Sequence, residues 1–357
     1  MKEKKSLVLY TKFGTHLKID NRDIKMIAIL SEDARINHTY LAQSLNLSKD
    51  TIRYRYEKLV KNDVLTGNIA IINPFALGFE LCWAFIRMNI ISEEKESELH
   101  HYFFEHKFTL WGGTALGNYD YAMLITFKNN THLREILDEI KGKCGNALIT
   151  LETVSVISII SYRNIPKKML TESGITIHRK KADPSFGDLL ERPVLISGDN
   201  KIKLDKLDNQ LVYELSLNSK QELIQLAQKT KTNINKVKYR IRNLIRNKVI
   251  GSFNPLINIP YLGFNAFAIF LELQFNIGIK RINMFESFLK EAFPYVFKTN
   301  GEWDYIMFVA AKDLFEFYHM LLAMRNTYYD LVKDFATLTI IKDFKFTFFS
   351  EGMKTNA

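Results

Sequence analysis

Cysteine is scarce in this chain. The 357 residues hold only Cys82 and Cys144. They allow one disulfide at most, and nothing else suggests secretion, so we read them as reduced intracellular thiols. Long hydrophobic runs are missing too. The longest apolar stretches, near 81–91 and 154–160, fall short of a membrane span, and the first contains Arg87. The basic start is followed by an apolar run, Leu7 to Tyr10, too short for a signal peptide. A cytoplasmic protein without a membrane partner is expected. The glycines never reach P-loop or dinucleotide spacing, and no Ser/His/Asp arrangement has a local signature. His100, His101 and His106 share one predicted helix. The pair at 101 and 106 is five apart, which does not put both on one face, and His178 stands without a partner. No metal site, no cofactor and no catalytic residue are expected.

What is present reads as an ordinary soluble globular chain, 47% hydrophobic and 25% charged. Its length suits two to four domains. A net charge of +10 points to a polyanionic partner. Where that charge lies matters more than its total.

The chain says nearly the same thing twice. Leu41-Ala42, Thr51-Ile52-Arg53-Tyr54-Arg55, Leu59 and Val64-Leu65 are answered by Leu226-Ala227, Lys236-Val237-Lys238-Tyr239-Arg240, Leu244 and Val249-Ile250. Leu77-Gly78-Phe79 recurs as Leu262-Gly263-Phe264. Gly117-Asn118-Tyr119-Asp120-Tyr121 recurs as Gly301-Glu302-Trp303-Asp304-Tyr305. The offset stays at about 185 residues over roughly a hundred positions, so whole domains repeat rather than a short motif. Two such halves in one chain suggest a covalent pseudo-dimer.

Residues 18–65 predict three short helices. Asp20 caps the first, with Ile24, Ile27, Ala28 and Leu30 at helical spacing, and Asn37 caps the second. Ser48 caps a third, whose apolar positions are Ile52, Tyr56, Leu59 and Val60 and whose other face carries Lys49, Arg53, Tyr54 and Lys61. Two helices joined by a short turn, the second with a basic face, form the helix-turn-helix pattern.

Residues 68–163 change character. Strands are expected at 69–72, 79–91, 108–116, 121–127 and 150–161, and helices at 92–106 and 131–143. That order contains the βαββαβ arrangement of a ferredoxin-like sheet with two helices on one face. Residues 164–202, with Pro166, Pro184, Pro193, Gly174, Gly187 and Gly198 and no sustained period, read as a linker. The same helix-turn-helix and βαββαβ patterns then return.

A reading helix fits the major groove. Residues near its N-terminus reach base edges, and basic neighbours meet phosphates. Residues 48–63 hold five basic and three acidic side chains, whereas 233–248 hold six basic and none acidic. The candidate DNA contacts are Ser48, Lys49, Arg53, Tyr54, Arg55 and Lys58 in the first copy. In the second they are Asn235, Lys236, Lys238, Tyr239, Arg240, Arg242 and Arg246. A positive helix face is also what plain solvation produces. Tyr54 and Tyr239 suit either contact with the nucleic acid or packing against the first helix of their module.

The run from Asp23 through Ala34-Arg35-Ile36, Leu41-Ala42, Leu47-Ser48, Thr51-Ile52, Arg55 and Leu59 to Val64-Leu65, then Asn73-Pro74 and Leu77-Gly78, resembles the Lrp/AsnC family of prokaryotic transcription regulators. Gly117-x-x-Asp120-Tyr121 is similar to that family's sheet-turn motif, and Gly301-x-x-Asp304-Tyr305 matches it again. In the second helix-turn-helix, Thr230, Lys231 and Thr232 replace the first copy's apolar residues and turn. The resemblance implies sequence-specific binding to double-stranded DNA by a regulator, not an enzyme. It also implies self-association through ferredoxin-like domains and control by an amino acid or similar small effector. On that basis Gly117, Tyr119, Asp120, Gly301, Trp303 and Asp304 are candidate effector contacts. The plainer reading is that Gly and Asp make good hairpin turns.

The expected fold class is α+β. Two helix-turn-helix modules at 18–67 and 203–252 alternate with two ferredoxin-like domains at 68–163 and 253–350, with an extension at 1–17 and the linker at 164–202. Two alternatives share this build. One is a sirohaem decarboxylase-like enzyme, which needs a histidine with arginine or tyrosine beside the sheet. The segments before the turns, 108–113 and 296–299, contain no histidine. The other is an architectural protein that grips DNA without sequence choice, which the basic second reading helix permits.

Overall fold

The computed structural model describes residues 19–165, 178, 181, 183–198 and 201–354. The extension expected at 1–17 and much of the linker expected at 164–202 lie outside the described residues. Helices α1 (Asn21–Glu32), α2 (His38–Leu45) and α3 (Lys49–Lys61) lead into strand β1 (Leu65–Ile72). Next come β2 (Glu80–Met88), α4 (Glu93–Glu105), β3 (Thr109–Leu116), β4 (Tyr121–Phe127), α5 (Asn130–Cys144) and β5 (Leu148–Tyr162). After the two-residue β6 (Leu195–Ile196) follow α6 (Lys206–Leu217), α7 (Leu223–Lys229), α8 (Ile234–Arg246) and β7 (Ile250–Ile257). The chain ends with β8 (Asn265–Leu273), α9 (Ile279–Ala292), β9 (Tyr295–Asn300), β10 (Tyr305–Ala311), α10 (Leu314–Tyr328) and β11 (Val332–Phe346).

The caps explain where the helices start. The side chains of Asp20, Asn37 and Ser48 each accept from the backbone N–H three residues on, a contact worth about 1 kcal/mol. Asp20 and Asp23 form a reciprocal capping box, and Asp205 and Asp208 form its counterpart at α6.

The strands form two sheets. β1 and β7 make a two-stranded antiparallel ribbon. The other nine run in the order β2-β4-β3-β11-β8-β10-β9-β5-β6, and β2 also pairs with β5. That last pairing closes all but β6 into a barrel. The sheets of the two halves do not stay separate. Instead the edge strands pair: β3 with β11 and β5 with β9. Closure satisfies backbone groups that open edges would present to solvent.

These cross-pairings obey one twofold rule. Thr339 faces Leu116 and Phe346 faces Trp111, while Ser155 faces Asn300 and Tyr162 faces Tyr295. Shifting either residue of a pair by 184 positions converts one set into the other. In the ribbon, Leu65 faces Ile257 and Ile72 faces Ile250. Ala34 donates its N–H to Phe253 at 2.9 Å, and Ser219 donates to Asn68 at 2.8 Å. Each helical module therefore pins the ribbon strand of the opposite half.

Strand alternation assigns the cores. Leu81, Trp83 and Phe85 of β2 join the barrel interior with Leu124, Phe270, Phe297 and Ile306. Cys82, Ala84 and Ile86 face α4 and α5, packing with Leu99, Phe103, Ile136 and Ile140. In the second half Ala268 and Phe270 point inward, and Phe267, Ile269 and Leu271 meet Phe285 and Leu289 of α9. Burial on both faces is why these strands read as continuous apolar runs. Both cysteines are buried and free, and burial pushes the thiols up, Cys82 to about 12 and Cys144 to about 11.

Three expectations change. The strand expected at 69–72 is only the end of β1, because its pairing with β7 extends it to Leu65. Val60 faces solvent rather than the core. The segment taken as a linker also does more than span. Its β6 adds to β5 at Ser158 and Ile159, and Phe186, Leu190 and Leu195 enter the core. These apolar residues insert singly or in a two-residue strand, so they leave no period.

Candidate nucleic-acid interface

The helix-turn-helix geometry is built locally. Between α2 and α3 the chain turns at Asn46, φ +51°, and the Leu47 N–H closes on the Ala42 carbonyl at 2.9 Å. Lys231 takes the same left-handed conformation, φ +52°, and Thr232 closes on Ala227 at 2.9 Å. Asn tolerates this region better than Lys, yet the turn survives the substitution. The divergent Thr230-Lys231-Thr232 is therefore a full counterpart of the first turn.

On α3, Lys49, Arg53, Tyr54 and Lys58 are exposed, and Ser48 caps the helix start. Arg53 lies 4.0 Å from Asp50, a weak exposed pair. On α8, Asn235, Lys236, Tyr239 and Arg246 are exposed and Lys238 is half-buried. Tyr54 is 68% exposed and Tyr239 is 60% exposed. With most of each ring in solvent, neither is buried against the first helix of its module.

Three arginines among the candidate DNA contacts are bonded to other groups of the protein. Arg55 donates to Asp20 and Asp23, each at 2.7 Å. Hydrogen bonds to these two carboxylates raise its pKa. Arg240 repeats this with Asp205 at 2.9 Å and Asp208 at 3.2 Å. Both point down the inner flank of the helix to the cap of the preceding module helix, tying the third helix to the first. Arg242 is held by Asp188 at 2.6 Å and by the Ser185 carbonyl at 2.8 Å. That partner comes from the connecting segment, so helix periodicity gave no signal for it. The charge contrast between the two reading helices is thus smaller on the outer face than in the raw count.

Behind the modules lies a buried charge cluster that the sequence reading did not single out. Arg35 donates to the Ser219 and Gln221 carbonyls, lies 3.8 Å from Asp183, and sits over the rings of Phe186 and Phe253. Its counterpart Lys220 stacks on Tyr56 with Nζ 4.2 Å from the ring centre. Burial pulls Lys220 down to about 8 and raises the neighbouring Asp33 and Asp183. This cluster bonds one helix-turn-helix to the other.

The candidate effector turns are also accounted for structurally. Gly117 and Gly301 have φ of +140° and +146°, which favour glycine. A carboxylate oxygen of Asp120 accepts from the Met88 N–H at 2.7 Å, and Asp304 does the same with Leu273 at 2.7 Å. Both aspartates lock the turn to the neighbouring strand. Tyr119 donates to Glu152 and lies against Phe85, and Trp303 lies near Phe270. The turns are thus built as hairpins.

A separate cavity of about 440 Å³ opens at one end of the barrel. Trp83, Trp111, Phe297 and Phe308 form its aromatic wall, and Asn164, Tyr295, Lys312 and Asp343 supply polar groups. Burial pushes the Asp343 carboxyl up to about 7, against a hydrogen bond from Trp111 that lowers it. Its described lining contains no histidine. The buried His106 lies elsewhere, bonded to Thr109 at 2.8 Å and lowered by burial to about 4. No helix among the described residues is long and apolar enough to cross a membrane.

Residues 19–66 match a family model described as winged helix-turn-helix DNA-binding. An HTH-type transcriptional regulator of Pyrococcus furiosus is 30% identical over 125 residues, covering 35% of this chain and 83% of that protein. The regulatory protein AsnC of Haemophilus influenzae is 33% identical over 64 residues, covering 18% of this chain and 43% of that protein. Among solved structures, a siroheme decarboxylase covers 94% of this chain and 96% of its own at a TM-score of 0.57 and 10% identity. At that identity the likeness is one of fold alone.

Proposed function

Because the chain belongs to the Lrp/AsnC family of helix-turn-helix transcriptional regulators, we propose that it is a tandem, fused form of that unit. In this reading it binds double-stranded DNA as a pseudo-dimer within one chain. One observation carries the reading. The two halves pair through a single twofold rule in the ribbon and in the barrel, which gives α3 and α8 equivalent positions. The domain limits at 18–67, 68–163, 203–252 and 253–350 belong to the same proposal.

The roles divide by placement. Ser48 and Asn235 stand at the reading-helix starts, where backbone N–H groups favour phosphate. Lys49, Arg53 and Tyr54 reach base edges in one half-site. Lys236, Lys238, Tyr239 and Arg246 grip phosphates and sugar in the other. Arg55, Arg240 and Arg242 hold the helices in place. We include control by a small effector, an amino acid in keeping with the family, read as a change in DNA affinity.

The whole-chain likeness to a siroheme decarboxylase favours a second reading, an enzyme whose substrate fills the barrel cavity. The described lining fits it poorly. It has no histidine as proton donor, and its cationic side chains, Lys312 and Lys342, are few for a polycarboxylate tetrapyrrole.

Footprinting on DNA from around the protein's own gene tests the regulator reading. Discrete protected sites at physiological salt are expected. Uniform protection would indicate an architectural protein. Absence of binding, together with a Soret band after incubation with sirohaem, would favour the enzyme.

A further inference from the structure

Helices α5 and α10 hold equivalent places in the two halves. Each runs for 15 residues from a capping side chain, Asn129 or Asp313. Their inner faces agree in register: Ile140 and Cys144 are buried in one, and Met324 and Tyr328 at the matching positions of the other. Their outer faces differ. On α5, Thr131, Arg134, Asp138, Lys141 and the following Gly145 are exposed. Asp138 pairs with Arg134 at 3.6 Å and with Lys141 at 3.5 Å, which makes a solvated face laced by ion pairs. On α10 the same positions carry Phe315, Tyr318, Leu322, Arg325 and Tyr329. Phe315 is 77% exposed, Tyr318 54% and Tyr329 79%. Leu322 is half-buried and Arg325 is exposed.

Solvation accounts for the α5 face but not for its apolar counterpart. The five α10 positions follow one another at alternating steps of three and four residues, the spacing of a seam that meets a single partner helix along its length. Tyr329, just past the helix, keeps helical backbone at φ −59° and ψ −27°. At ~200 Å² per aromatic side chain, the three rings leave on the order of 400 Å² in solvent. That is the scale of the largest apolar patch on a typical monomer, which is often functional. Leu314, Leu322, Arg325 and the polar flanks bring the face to the scale of the roughly 800 Å² per partner that a stable complex buries.

We infer that the outer face of α10 is a self-association surface, on which a second copy of this chain lays its own α10 antiparallel. The seam is complementary to itself in that orientation. With Leu322 against Leu322, Phe315 of each chain meets Tyr329 of the other, and Tyr318 of each meets Arg325 of the other. Contacts repeated in both directions are what a twofold interface requires. The first pair is aromatic, and the second sets a guanidinium against a ring. A parallel arrangement would oppose the two Arg325 side chains instead. The α5 face stays in solvent, so association closes at two chains. The inference does not involve DNA, so footprinting and the following test fail independently.

Sedimentation equilibrium of the intact chain, without DNA and across micromolar concentrations, is the test. Twice the mass of one chain is expected. The triple variant Phe315→Thr, Tyr318→Arg, Leu322→Asp writes the α5 face onto α10. It should weaken association by at least about a hundredfold while far-UV circular dichroism stays unchanged. Mild oxidation of Leu322→Cys should join two chains, since both natural cysteines are buried. Asp138→Cys, at the matching position of α5, should not. A single-chain mass throughout would overturn the inference, as would a dimer that the triple variant leaves intact or equal cross-linking through Asp138→Cys. A single-chain mass with flotation on phosphatidylcholine–phosphatidylglycerol vesicles, lost in the triple variant, would assign the face to a lipid surface instead.

Discussion

Arg55 and Arg240, 185 residues apart, make the same bond: each reaches from the reading helix of its module to the paired aspartates that cap the first helix. Asp23 is buried, so its partner cannot be removed without leaving a carboxylate in the interior. Arg55→Ala should therefore destabilise the protein by roughly 2 kcal/mol, the scale of hydrogen bonds to charged groups. Urea melts measure this. A loss of DNA affinity with unchanged stability would instead mean that Arg55 contacts DNA.

Arg242 makes the complementary case. Its ion pair with Asp188 faces the connecting segment. Lys236→Ala should reduce the slope of log affinity against log salt by about one, whereas Arg242→Ala should leave the slope unchanged. Titrations at several salt concentrations distinguish the two. An equal loss of slope from Arg242→Ala would return that residue to the phosphate contacts.

Asp343 predicts a pH dependence. Burial raises its carboxyl to about 7, while an unfolded aspartate titrates near 4. Between those values the folded state holds a proton that the unfolded state lacks. The stabilisation is complete below pH ~4 and is lost as pH rises through about 7, with a slope of at most ~1.4 kcal/mol per unit. His106, lowered to about 4, acts with the opposite sign over much of that window. The informative quantity is therefore the difference between the natural chain and Asp343→Asn. The variant should lose less stability from pH 4 to 7, measured by thermal melts across that range. Parallel curves would contradict the assignment.

Much of the local structure was legible in the sequence. Asp20, Asn37 and Ser48 all cap the helices expected of them, because a cap depends on residues only three apart. Barrel closure was not legible. Side-chain alternation tells which face of a strand is buried, but not which strand supplies the partner for its edge, so β3–β11 and β5–β9 had no signature. The two-residue β6 is too short for any period. The inward turn of Arg55 and Arg240 was hidden for another reason. Each is 32 residues from a partner aspartate, and helical spacing alone places them beside the exposed lysines. The glycines at 117 and 301 were read with two meanings, and the bonds of Asp120 and Asp304 to strand N–H groups favour the hairpin.

The central claim is that one chain presents two different reading helices under a twofold relation. A family dimer of identical chains reads a palindrome. Here Lys49, Arg53 and Tyr54 stand opposite Lys236, Lys238 and Tyr239. Selection of binding sites from a random DNA pool tests this most directly. The account predicts sites with two unlike half-sites, one strongly specified and one weakly, each occupied by a single chain. Recovery of perfectly symmetric half-sites, each bound by a separate chain, would contradict it.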